Sequence, residues 1–412
     1  MRKELLQSIA EIIGNYRSGE LPQPLDSNHV DKWVRQFSEE SQEVILVETL
    51  HILREWYFTN DHVDQIVDRF IEFLRKKYAL KSTQEVIAST AFLSNQTAGK
   101  SQKIILSRLS ERIQEQYGIT LVREPNSKTQ HYVYLDDGLY TGRRASADLI
   151  DCLSWIPKNG QLDAMYVLAS DSTIKYIKYI KYGDKEIDDA LERNKVTLEI
   201  HGWKILQNDK FVKVTPNGLE YDKIHSCLWP TDSLAYITEV AEFHDYLMNL
   251  GKKSEMFMYR RSPWLKDTGI FSSLENRNIV EKEFLIKGIY LHQLSSITSL
   301  YPLGFNRWPS FGFGSFCAFD MNISNTCPLV LWWGSIEATD GALGKWYPLL
   351  PRRVNGSEEF NKVEDYNDWD DAGAASQIYS KDQYNICPDC GSYFGLEQDG
   401  GNGFCINCAW KH

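Results

Sequence analysis

The sequence predicts an α/β protein, with a parallel-sheet core between an α-helical lobe and a small metal-bound tail. Three observations lead there. Apolar residues recur at helical spacing over residues 1–80. Strand and helix patterns then alternate from Glu85 to Ala169. Two Cys-x2-Cys pairs, Cys387/Cys390 and Cys405/Cys408, stand beyond an acidic stretch.

The lobe comes first. Leu5, Leu6, Ile9, Ile12 and Ile13 line one helix, and Pro22 and Pro24 separate it from the next. Trp33 and Phe37 follow, then Val44, Leu46, Val47, Leu50 and Leu53, then Ile66, Phe70, Phe73 and Leu74. These positions form helical faces and carry no visible chemistry. Near Glu85 the texture changes. Val86-Ile87-Ala88 reads as the start of a strand, followed by the polar loop Ser94–Ser101. A helix through Ile104, Ile105, Leu109 and Ile113 ends at Tyr117-Gly118. His131–Leu135 is a second strand, with a helix from about Ser146 through Leu149, Ile150 and Leu153 behind it. Ala164–Ala169 is a continuous apolar run, as in strands buried on both faces of a parallel sheet.

Beyond Asn194 the pattern mixes. Residues 196–205 and 211–214 read as a β-hairpin around Asn208-Asp209. Helices are expected at Leu234–Leu250 and Glu281–Ser295, and Leu329–Trp333 reads as a buried strand. These readings divide the chain into a helical lobe (1–80), an α/β domain with insertions (81–356), an acidic linker (357–384) and the tail (385–412).

Of the 412 residues 42% are hydrophobic and 25% charged, the balance of a globular chain. The net charge of −11 argues against a protein that wraps nucleic acid through its phosphates. The beat of Lys175, Lys178 and Lys181 reads as a solvated helix face. No apolar run approaches the ~20 residues that span a bilayer, and no signal peptide is visible, so a cytoplasmic protein without membrane contact is expected. Of the eight cysteines, Cys152, Cys227, Cys317 and Cys327 sit singly in apolar surroundings and read as free core thiols.

The other four cysteines carry a metal signal. Two Cys-x2-Cys knuckles set apart by residues 391–404 suit a tetrahedral zinc ion, with Gly391 and Gly403 at the turns. Cys387, Cys390, Cys405 and Cys408 are thus the expected ligands of a structural Zn²⁺ in a zinc ribbon. Four thiolates leave no open position for substrate, so this site is not catalytic.

Chemistry is expected near residue 136. Val133-Tyr134-Leu135 leads into Asp136-Asp137, then Gly138-Leu139-Tyr140-Thr141-Gly142-Arg143-Arg144, then a helix. The carboxyl end of a strand is where ligands bind in an open α/β sheet. A helix N-terminus behind Thr-Gly suits a phosphate, and two carboxylates upstream suit sugar hydroxyls or Mg²⁺. The plain alternative is an acidic strand end before an ordinary turn. The strand, the Thr-Gly step and the helix together favour the site.

Asp136–Gly142 resembles the PRPP-binding signature of type I phosphoribosyltransferases. The resemblance implies that Asp136 and Asp137 hold ribose hydroxyls and that Tyr140, Thr141, Gly142, Arg143 and Arg144 cradle a 5′-phosphate. It also implies Mg²⁺ with the phosphoribosyl ligand, and a loop after the first strand that binds pyrophosphate. Gly99, Lys100 and Ser101 lie in that loop here; Ser94 stands where a P-loop needs glycine, so the Walker pattern fails. One position departs from the family: Arg144 replaces the usual Thr or Ser.

The helical start around Trp33 and Phe37, the Asp-Asp motif, and Asp320–Leu329 running into Trp332-Trp333 resemble a narrower group. These are bacterial phosphoribosyltransferase-like components of anti-phage conflict systems, some beside retron reverse transcriptases. The resemblance implies an antiviral defence effector with protein partners, among them a reverse transcriptase and its msDNA. Two functions follow as expectations. One is an enzyme that binds PRPP or a nucleotide and carries out transfer or hydrolysis at C1′. The other is a nucleotide-binding assembly subunit without turnover. The 9 histidines build no nucleophilic triad, and His201 and His292 read as surface or packing residues.

Overall fold

The computed structural model describes residues 1–97, 99–178, 185–208, 213–215, 218–220, 225–250, 258–261, 264–295, 297, 300–306, 310–352, 384–386 and 393–395. The elements run α1 (Arg2–Ile13), α2 (Ser27–Val34), α3 (Gln42–Trp56), β1 (Tyr57–Phe58), α4 (Asn60–Lys77) and α5 (Thr83–Ser89). Next come β2 (Thr90–Leu93), α6 (Ser101–Tyr117), β3 (His131–Leu139), α7 (Arg143–Leu153) and β4 (Gln161–Ser170). Then α8 (Asp171–Lys178), α9 (Lys185–Asn194), β5 (Thr197–Leu206), β6 (Lys213–Thr215), β7 (Gly218–Glu220) and α10 (Thr238–Asn249) follow. The last are α11 (Leu274–Leu294), β8 (Leu300–Tyr301), β9 (Gly304–Phe305), β10 (Ala318–Phe319), β11 (Asn322–Ile323), α12 (Leu329–Trp332), β12 (Tyr384–Ile386) and β13 (Tyr393–Gly395).

The chain forms two compact units. The first holds Met1–Trp33, Thr49–Asn208 and Phe316–Thr326. Its centre is a parallel sheet in the order β2-β3-β4-β5. Each strand pairs with its neighbour in sequence, and helices fill the connections, as parallel neighbours require. On one face, Tyr132, Tyr134, Leu162, Ala164 and Tyr166 pack against Leu149, Leu153, Ile187 and Ala190 of α7 and α9. On the other face α4 reaches the sheet through its last turn. There Lys77 and Tyr78 both donate to Asp163, which is fully buried. A short second sheet joins β1, in parallel, to β10, which pairs with β11. Asp320 fastens it by accepting from the Tyr57 hydroxyl at 2.7 Å and the Asn60 amide at 2.7 Å.

The second unit holds Val34–Glu48, Asp209–Ser315 and Cys327–His412. Two buried guanidinium groups lie at its centre. Arg260 donates to the carbonyls of Trp229 and Trp264 and to Glu281; Arg277 donates to Glu281 at 2.8 Å and to the Asp267 carbonyl at 2.9 Å. Phe37 stacks on Phe284, with ring centres 5.5 Å apart. Cys152, Cys227, Cys317 and Cys327 are buried thiols outside any disulfide. Among the described residues no helix is long and apolar enough to cross a membrane.

Four expectations are corrected. Val86-Ile87-Ala88 lies in α5: Ser82 Oγ accepts from the Glu85 amide, and Glu85 Oε2 accepts from the Lys81 amide, a helix-start arrangement that overrides the apolar run. The strand follows at Thr90–Leu93. Asp136 and Asp137 are not the end of β3, which runs on to Leu139, and α7 starts at Arg143 rather than near Ser146. Among the described residues, the expected pairing of 196–205 with 211–214 is not found. β5 pairs in parallel with β4, and β6 pairs with β7. Residues 329–332 are a helical turn, entered through Pro328, in place of a strand.

Candidate functional site

The loops after β2, β3 and β4 all leave the carboxyl ends of parallel strands, where such sheets bind ligands. Asp136 faces the loop between β2 and α6 and is only 7% exposed. Both its oxygens are engaged. Oδ1 accepts from Ser101 Oγ at 2.7 Å and from the Asp137 amide at 2.9 Å; Oδ2 accepts from Gln96 Nε2 at 2.7 Å and from the Tyr134 hydroxyl at 3.0 Å. Asp137 is half-buried beside it. Burial, and then the charge of Asp136, hold its carboxyl well above the usual carboxylate range.

The network extends into α7. Asp148 Oδ2 accepts from Gln96 Nε2 at 2.8 Å, from the Tyr134 hydroxyl at 3.0 Å and from Arg144 Nε at 3.2 Å. Burial raises the Asp148 pKa, and the neighbouring Arg144 charge opposes the rise. Asn95 Nδ2 adds a strap to the Asp148 carbonyl at 2.7 Å.

Gly142 sets the entry to α7. Its φ of 85° suits glycine, and a Cβ there would lie 2.7 Å from Thr173 Cγ2. Tyr140 is anchored at both ends. Its carbonyl accepts from Thr173 Oγ1, and its hydroxyl lies 3.5 Å from Cys317 Sγ. Thr141 is half-buried, while Arg143 and Arg144 are exposed at the first turn of α7. The first-turn amides of a helix have no partner within it, so this end can receive an anion. In the other loop Gly99 has φ 83°, Lys100 is exposed, and Ser101 turns its hydroxyl onto Asp136. A shallow groove of about 650 Å³ opens beside Gln96 and Gly99, lined further by Lys103, Ile104 and Ser107.

Asp136, Tyr140, Gly142, Arg144 and Ser101 are therefore brought into one neighbourhood, with Asp137 beside them. Sequence reasoning missed Gln96, Tyr134, Asp148 and Thr173. Arg144 and Asp148 are spaced i,i+4, so helical geometry could have paired them. Gln96 carries no comparable signal in a loop. Cys387, Cys390, Cys405 and Cys408 lie outside the described residues.

Another cluster of metal-ligand side chains, Asp163, Glu199 and His201, sits in the amino-terminal halves of β4 and β5. His201 Nε2 is 2.8 Å from Asp163 Oδ1, and Lys77 Nζ is paired with both Asp163 and Glu199. The lysine already supplies the positive charge these carboxylates need, so the cluster is self-contained.

No match was found among curated proteins, and none among solved structures. The sequence model of the phosphoribosyltransferase-like family PRTase-CE matches residues 30–352, a span that contains the whole parallel sheet and its loops. By that match the chain belongs to the PRTase-CE family.

Proposed function

We propose that this chain binds a 5′-phosphoribosyl ligand, PRPP or a nucleotide, at the end of β3 and the start of α7, and catalyses transfer or hydrolysis at C1′. One observation carries the reading. Two aspartates, a glycine-entered turn and a helix N-terminus follow one another from the second strand of a parallel sheet, within a phosphoribosyltransferase-like family. The α7 amides, with Thr141, Arg143 and Arg144, would receive the 5′-phosphate. Asp137 would accept hydrogen bonds from ribose hydroxyls, with Asp136 fixing the strand beside it. Gly99, Lys100 and Ser101 would face the pyrophosphate of PRPP. Breaking the bond from C1′ to the pyrophosphate oxygen of PRPP, or to the base nitrogen of a nucleotide, builds positive charge on the ribose, and nearby carboxylates stabilise that charge without a protein nucleophile.

Mg²⁺ fits this donor set. It commonly takes one or two carboxylates together with substrate phosphates. Asp136 is already fully hydrogen-bonded, so Asp137 would be the protein's contribution, and the ion would supply charge neutralisation on the phosphates. A structural Zn²⁺ on Cys387, Cys390, Cys405 and Cys408 completes the reading. The pairing of β12 with β13 on either side of residues 387–392 supports a ribbon there. A cytoplasmic role in bacterial antiviral defence, with partners such as a retron reverse transcriptase and its msDNA, rests on the resemblance alone.

A second reading, a nucleotide-binding assembly subunit without turnover, is favoured by the same Asp136: a carboxylate with both oxygens engaged has little capacity left for a substrate. Incubation of the purified chain with PRPP, NAD and nucleotides in the presence of Mg²⁺ separates the two. The enzymatic reading expects pyrophosphate or free base, lost in Asp137→Asn. Binding without product from any donor leaves the assembly reading.

A further inference from the structure

Three pieces of backbone meet at one side chain. Gln96 stands in the loop between β2 and α6, is only 6% exposed, and is held by its own amide donating to Gln102 Oε1 at 3.1 Å. Its Nε2 lies 2.7 Å from Asp136 on β3, 2.8 Å from Asp148 on α7 and 2.9 Å from the Tyr134 hydroxyl. We propose that Gln96 and Asp148 are positioning residues of the phosphoribosyl site. Gln96 ties the loop to β3 and α7, and Asp148 holds Arg144 at the mouth of α7, so the ribose and phosphate contacts stand at a fixed spacing before ligand arrives.

The inference rests on the phosphoribosyl reading above and adds residues outside the Asp-Asp signature.

A count of hydrogens shows why these side chains act together. The Gln96 amide has two, and the Tyr134 hydroxyl has one. Five close contacts converge among Gln96, Tyr134, Asp136 and Asp148. Three hydrogens serve them best when the amide bridges the two carboxylates and the hydroxyl donates to one. Without the amide, Asp136 Oδ2 and Asp148 Oδ2 would compete for the one hydroxyl hydrogen, with Arg144 Nε left as the other donor to Asp148. Gln96 thus joins the β2 loop to both carboxylates at once. Asp148 also takes Arg144 Nε, at 3.0 Å on Oδ1 and 3.2 Å on Oδ2, so a shift of Asp148 moves the guanidinium at the first turn of α7.

The test is calorimetric titration of the full chain with PRPP and with ribose 5-phosphate, both with Mg²⁺, alongside thermal melting. Gln96→Leu should weaken PRPP binding by about tenfold or more, since it leaves buried acceptors without a donor. The conservative Asp148→Asn keeps an acceptor for Gln96 Nε2 but removes the charge that holds Arg144, and should weaken PRPP binding by about threefold or more. A Gln96→Leu protein that binds PRPP as wild type does overturns the inference, even when it melts earlier, because a role in stability alone moves the melting temperature and not the Kd. If Gln96→Leu does not fold, Asp148→Asn decides: PRPP binding unchanged from wild type in that folded variant overturns it. Wild type binding neither ligand overturns the phosphoribosyl reading itself, and the inference with it.

Discussion

Lys77 ends helix α4 with its ammonium on the carboxylate of Asp163, a residue fully enclosed in the central strand β4. Tyr78 donates to the second oxygen of the same carboxylate, and His201 faces the first. Burial alone would raise the Asp163 pKa, but His201, Lys77 and Tyr78 together take it below the ordinary value. Lys77→Met removes the main charge partner and leaves the buried carboxylate to its neighbours. A loss of about 3 kcal/mol in folding stability is expected, within the range for breaking a buried pair. Urea denaturation measures it, and ligand binding at the distant carboxyl ends of the strands should not change once the protein is folded.

Asp136 and Asp137 should respond differently to the same change. Asp136→Asn places an amide where two donors already point, at Gln96 and Tyr134, so it should cost about 1–3 kcal/mol of stability as well as affinity. Asp137→Asn removes a carboxylate that burial and the Asp136 charge disfavour, so it should cost no stability and should reduce PRPP affinity alone. Melting curves and titrations on the two variants give the comparison. Equal effects from both would mean that the two carboxylates do the same job.

Gly142→Ala tests the entry to α7. The substitution meets both a left-handed backbone and the Thr173 methyl group. It should cost about 1–2 kcal/mol from the backbone alone. It should also displace the Thr141–Arg144 turn, so inorganic phosphate and ribose 5-phosphate should both bind more weakly.

His292 makes stability depend on pH. Its ring packs edge-on against Phe243 at 4.9 Å, its Nε2 has no partner among the described residues, and burial takes its pKa from 6.5 to about 4. Between those values the unfolded chain binds the proton and the folded one does not. Stability from this residue is therefore complete above about pH 6.5 and falls as pH drops toward 4, by up to about 3 kcal/mol. Denaturation midpoints at pH 7 and pH 5 should differ less in His292→Leu than in wild type.

The middle of the parallel core was legible because residues 133–135 and 164–169 are apolar runs and the helix before β3 ends at readable punctuation, Tyr117-Gly118. The errors share one cause: a short apolar segment does not declare its own geometry. Val86-Ile87-Ala88 and Leu329–Trp332 are as apolar as strands, yet a capping arrangement before the first and Pro328 before the second make them helical. The partner of residues 197–206 could not be read locally either, because parallel pairing is decided by a crossover and not by the nearest turn. At the site, the acids and the glycine were visible by type and spacing. Gln96 was not, since a loop glutamine gains its meaning only from the two carboxylates the fold brings to it.

The seat of Asp320 has a consequence for synthesis. The four strands of the central sheet pair in the order in which they leave the ribosome, so they can dock one after another. The Tyr57–Asp320 bond spans 263 positions and cannot form until translation has passed through residues 209–315. Until then Tyr57 and the first amide of α4 wait for their acceptor, and the nascent first unit has a completed sheet with one side still unsealed. A ribosome-stalled chain released after residue 208 should be cut by protease near Tyr57 and Asn60 far sooner than one released after residue 326.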